Sequence, residues 1–125
     1  MKIIANFMIA LVAILHFYFL LLEMFFWTKP RGLRTFAQTL EKAKSTAVLA
    51  ANQGLYNGFL SVGLIWGLVH PTPEFSFQIK VFFLSCVIVA GLYGGKTANR
   101  KILFVQAGPA ILALIFMAGA NYFNL

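Results

Sequence analysis

The chain has 125 residues, 61% hydrophobic and 10% charged, with 14 phenylalanines and a mean hydropathy of +0.85. So few charges cannot cover a soluble domain of this length, so the surroundings must be largely lipid. The net charge of +7 sits in short segments between apolar runs. That pattern reads as topology signals and contacts to anionic headgroups, not as a nucleic-acid footprint.

The first apolar run, Ile3 to Trp27, is long enough to span a bilayer. A cationic segment follows it instead of a small-residue cleavage site, so it reads as a retained helix and not a signal peptide. Phe25, Phe26 and Trp27 suit a membrane–water interface, and Pro30 and Gly32 stop the helix. Leu33 to Ser45 is too polar to span, yet Leu33, Phe36, Ala37 and Leu40 fall on one helical face. That spacing predicts an interfacial amphipathic helix. A second span is predicted over Thr46 to Val69, ended by Pro71 and Pro73, and a third over Phe75 to Tyr93, ended by Gly94 and Gly95. Lys80, early in the third span, can snorkel to the interface. A fourth span covers Ile102 to Tyr122, with Pro109 kinking it near its start. The expected fold is an all-α membrane protein. It is one domain over residues 1–125, a bundle of four transmembrane helices with the short amphipathic helix between the first two.

Loops one and three carry Lys29, Arg31, Arg34, Lys42, Lys44, Lys96, Arg100 and Lys101, whereas the other side has Lys2 and Lys80. The positive-inside rule makes those loops cytoplasmic and puts both termini outside. Small-residue pairs at Gly54 and Gly58, Gly63 and Gly67, and Gly91 and Gly95 permit close helix approach. Which of them act within the chain and which in a homo-oligomer stays open.

Polar groups in hydrocarbon need a partner or a task. His16 and Glu23 lie seven residues apart on one face of the first span. The second span adds Asn52, Gln53, Tyr56 and Asn57, and the fourth adds Gln106. Counting rise along each span puts Glu23, Gln106, Asn52 and Gln53 in the cytoplasmic half, with His16 and Asn57 about 16 Å deep. Together they suggest a cytoplasm-facing pocket for a small molecule or a proton. Each has a plainer reading: Glu23 pairing with Arg100, Lys101 or Arg31, His16 bridging helices, and the amides acting as packing glue. The single cysteine, Cys86, excludes an intramolecular disulfide. No nucleophile–base pair, phosphate loop or metal-ligand spacing is present, and His70 falls at the opposite membrane face.

The segments LHFYFLLLEMFFWTKPRG, VLAANQGLYNGFLSVGLIWG and RKILFVQAGPAILAL resemble the bacterial integral membrane family known as domain of unknown function 1304. The run from Ala50 to Gly58 is the most specific part. The resemblance implies a small four-helix protein of the bacterial inner membrane and brings no activity with it. Three functions follow as expectations. A transporter would exchange protons at Glu23 and His16; the size and lone first-helix glutamate are similar to small multidrug exporters, although the strong charge bias is not. A membrane enzyme would follow a looser likeness, at Ala51 to Phe59, to membrane-associated glutathione and eicosanoid enzymes. It would lack their arginine in the second helix, leaving Lys44, Arg100 or Lys101 to replace it. A structural accessory subunit would bind no ligand.

Overall fold

The computed structural model describes residues 1–123. Among them there are helices and no strands. The helices are α1 (Lys2–Met24), α2 (Pro30–Thr35), α3 (Leu40–Val69), α4 (Pro73–Thr97), a single turn α5 (Arg100–Ile102), a π-helical turn Leu103–Ala107, and α6 (Gly108–Tyr122). Among the described residues three stretches are long and apolar enough to cross a membrane: Lys2–Met24, Pro73–Thr97 and Arg100–Tyr122. The chain is that of a membrane protein.

Several boundaries differ from those the sequence predicts. α1 stops at Met24, three residues before Trp27. The amides of Phe25 and Phe26 both donate to the Leu21 carbonyl, at 3.0 and 3.1 Å, which closes the last turn.

The continuous amphipathic helix predicted over Leu33 to Ser45 is instead divided. α2 ends in a motif that turns the chain sharply. Ala37 adopts a positive φ of 49°. Its amide donates to the Arg34 carbonyl, and the Gln38 amide donates to the Leu33 carbonyl. This pair of bonds is the Schellman arrangement, usually built on glycine. Thr39 then caps the next helix, its Oγ1 accepting from the Lys42 amide at 3.2 Å. α3 therefore begins at Leu40 and runs 30 residues, a length of about 45 Å.

α4 continues past Gly94 and Gly95 to Thr97. These glycines serve packing, not termination. A Cβ at Gly94 would come within 2.9 Å of Ile102, and one at Gly95 within 2.6 Å of Leu103. The expected distortion near Pro109 takes the form of the π-helical turn just before it, where the Gly108 amide reaches back five residues to the Leu103 carbonyl. Proline lacks an N–H, and its ring crowds the carbonyl four residues back; the widened turn accommodates both.

By contacts the chain divides into two compact units, Met1–Ala13 with Val62–Leu125, and Ile14–Ser61. In the first unit α4 packs against the π-helical turn and α6. Gly91 permits a close backbone approach, since a Cβ there would lie 2.7 Å from the Ala107 nitrogen. Gly67 lies against Lys80, and Gly119 against Met1. The Ser76 hydroxyl donates to the Gly67 carbonyl at 2.7 Å across the α3–α4 turn. In the second unit the end of α1 packs against α3 around Gly54 to Gly58. Gly54 and Gly58 sit against Leu20, Glu23 and Met24. Trp27 anchors the corner, its ring tilted against Phe36 with centroids 4.9 Å apart and its indole N–H donating to Thr46 Oγ1 at 3.2 Å.

Candidate functional site

The Ile14–Ser61 unit is built around a close helix pair. Gly54 and Gly58 lie one turn apart on α3, and neither offers a Cβ. A Cβ at Gly54 would meet Met24 Cγ at 2.8 Å and Glu23 Cβ at 3.1 Å, and one at Gly58 would meet Leu20 Cδ1 at 2.6 Å. Removing those methyl groups lets α1 rest nearly on the α3 backbone. Asn57, beside Gly58 on this stripe, is thereby brought to Glu23. Its Nδ2 donates to Glu23 Oε1 at 2.8 Å. Glu23 is 4% exposed and Asn57 6%. A carboxyl group and an amide therefore meet out of contact with lipid, and Glu23 is the penultimate residue of α1. This pairing combines a group that can bind a proton with one that can donate to its charged form.

This geometry corrects the depths counted from the sequence. Asn57 is level with Glu23, not with His16, because α3 starts earlier than Thr46 and carries its polar residues toward the cationic end. Asn52 and Gln53 lie about 6–8 Å further that way by helical rise. They are exposed, as is Tyr56, whose ring stands edge-on to Phe59 at 5.6 Å. His16 is fully buried, edge-on to Phe19 at 5.6 Å, and about 10 Å deeper than Glu23 along α1. Ser61, one turn beyond Asn57, is also buried. Arg31, which the sequence offers to Glu23, instead donates from Nη1 to Tyr18 Oη at 3.5 Å.

Gln106 belongs to the other unit. It is half-buried on the π-helical turn, its Cβ against Gly91. The same unit holds a pair that sequence reasoning missed. Lys80, expected to reach the interface, is 9% exposed, and its Nζ donates to Asn6 Oδ1 at 3.1 Å. Asn6 was the overlooked signal, an amide four residues inside α1. Among the described residues no group of histidine, cysteine and acidic side chains could hold a metal ion.

Comparison with known proteins brings a family and no chemistry. The model of a family described as "Protein of unknown function (DUF1304)" matches residues 10–118. An uncharacterized protein YpaA of Lactococcus lactis subsp. lactis (strain IL1403) is 37% identical over 107 residues, covering 84% of this chain and 88% of that protein. No solved structure matches the chain.

Proposed function

The chain belongs to the DUF1304 family, and from that premise we propose that it is a small integral membrane protein that binds a proton or a small polar ligand at Glu23 and Asn57. The observation that carries this reading is the 2.8 Å bond between two side chains shielded from lipid. Intramembrane carboxyl groups are costly, and they recur where protons or solutes are handled. Glu23 stands at the end of α1, next to the interfacial aromatics, so exchange with the aqueous face needs only a short path. His16, on the same face of α1 and deeper, is the natural next station for a proton. Transport coupled to that proton is the function in view.

The bundle proposed around this site is a single domain with four spans, α1, α3, α4 and α6, with α2 at the interface. α3 is the least apolar of these because it carries Asn52, Gln53, Tyr56 and Asn57. Its 45 Å exceed a hydrocarbon core of about 30 Å, so its first turns stand among the headgroups. The exposed Asn52, Gln53 and Tyr56 then meet headgroups or a second copy of the chain. The cationic loops face the cytoplasm, the termini face outward, and the membrane is the bacterial inner membrane.

Reconstitution into liposomes tests this proposal. A pH-sensitive dye inside should report proton movement with the native chain and none with Glu23→Gln, while both remain helical and monodisperse. Equal flux from both would remove Glu23 from any transport role. A Glu23→Gln chain that cannot be purified folded would favour a purely structural bond between α1 and α3.

A further inference from the structure

The corner between α1 and α2 forms an open groove of about 650 Å³. It is lined by the apolar or aromatic Tyr18, Leu21, Phe26 and Pro30 and by the cationic Lys29, Arg31 and Arg34. No carboxylate lines it. Three cationic residues thus take part in lining an apolar trough, all within the Ile14–Ser61 unit.

The corner is built with little freedom. Gly32 is buried beneath the backbone of the turn that follows α1, and a Cβ there would fall 2.8 Å from the Phe26 carbonyl carbon and 2.9 Å from the Trp27 oxygen. Only glycine lets α2 fold back so tightly. Pro30 fixes the first turn of α2. Trp27, packed against Phe36 and hydrogen-bonded to Thr46, holds the far side. The cations are therefore presented by a braced corner, not by a loose loop. Arg31 already leans into the groove through its 3.5 Å bond to Tyr18.

We propose that this groove is a binding site for an anionic phospholipid, with the phosphate held by Arg31, Arg34 and Lys29 and an acyl chain lying along Leu21 and Tyr18. Charge complementarity selects an anion, and guanidinium groups match phosphate with paired donors. The apolar walls select an amphiphile over a free anion, because a soluble phosphate would leave them uncovered. The open side lets the chain continue into the bilayer. This inference does not depend on the Glu23–Asn57 reading.

Native mass spectrometry of the full chain in detergent, titrated with dioleoylphosphatidylglycerol or dioleoylphosphatidylcholine, tests it. Phosphatidylglycerol should be retained and phosphatidylcholine should not. Arg31→Gln with Arg34→Gln should weaken retention about tenfold or more. Both arginines are exposed, so packing is spared. Leu21→Trp, which fills the groove and leaves charge unchanged, should weaken it similarly; Leu21→Phe serves if that variant does not fold. Lys42→Gln with Lys44→Gln removes the same charge from exposed positions on α3 and should change retention less than about twofold. Equal loss in this control would mean diffuse attraction and overturn the site. Native retention in the groove-filling variant would do the same. Full competition by millimolar inorganic phosphate would show a free-anion site and overturn the lipid assignment.

Discussion

Among the described residues a carboxylate side chain and an ammonium side chain are both buried, and each meets an amide. Glu23 accepts from Asn57 at 2.8 Å in one compact unit, and Lys80 donates to Asn6 at 3.1 Å in the other. The pairs differ in how much freedom the charged group keeps. Glu23 has a short side chain, fixed because its own Cβ lies close over Gly54. Lys80 has a long apolar stem lying over Gly67, and such a stem can carry its ammonium toward water when a partner is lost. Burial of both side chains therefore conceals unequal dependence on the amide: the glutamate site is rigid and the lysine site is forgiving.

Substitutions can break or sharpen that contrast, and reversible unfolding of the purified chain in detergent would measure them. Gly54→Leu should be the most damaging, at about 3 kcal/mol or more, because the added side chain must displace Met24 and the backbone of α1. Asn57→Leu should cost about 2–3 kcal/mol, since it leaves the Glu23 carboxyl buried without its donor. Asn6→Leu should cost about 1 kcal/mol or less, because Lys80 can re-aim. Lys80→Met should fall within about 0.5 kcal/mol of the native chain, replacing a buried charge with an apolar chain of similar shape. Equal losses from Asn57→Leu and Asn6→Leu would erase the distinction between the two sites.

The sequence made the helical class plain through long apolar runs, and the positions of Glu23, Asn57, Gly54 and Gly58 through helical spacing. It did not reveal the register between α1 and α3. That register depends on where α3 begins, and the boundary is made by Ala37 in a left-handed conformation and by Thr39 as cap. Neither residue marks such a role in a linear reading: alanine at that turn carries no glycine signal, and threonine sits inside an apparently amphipathic stretch. The error moved Asn57 by about two turns in depth and made Asn52 and Gln53 look like neighbours of Glu23. The Lys80–Asn6 bond was illegible for a different reason. Its partners lie 74 residues apart, and lysine near a helix start reads naturally as snorkelling. Gly94 and Gly95 misled in the same manner, because glycine that ends a helix and glycine that admits a neighbour look alike in sequence.

The central claim is that Glu23 is a proton-binding carboxyl group whose environment is set by Asn57. Infrared difference spectroscopy of the reconstituted chain, recorded as pH is stepped, observes that carboxyl directly. The native chain should show a protonated-carboxyl band that is absent in Glu23→Gln and shifted in Asn57→Ala. A band unchanged by Asn57→Ala, or one that persists in Glu23→Gln, would contradict it.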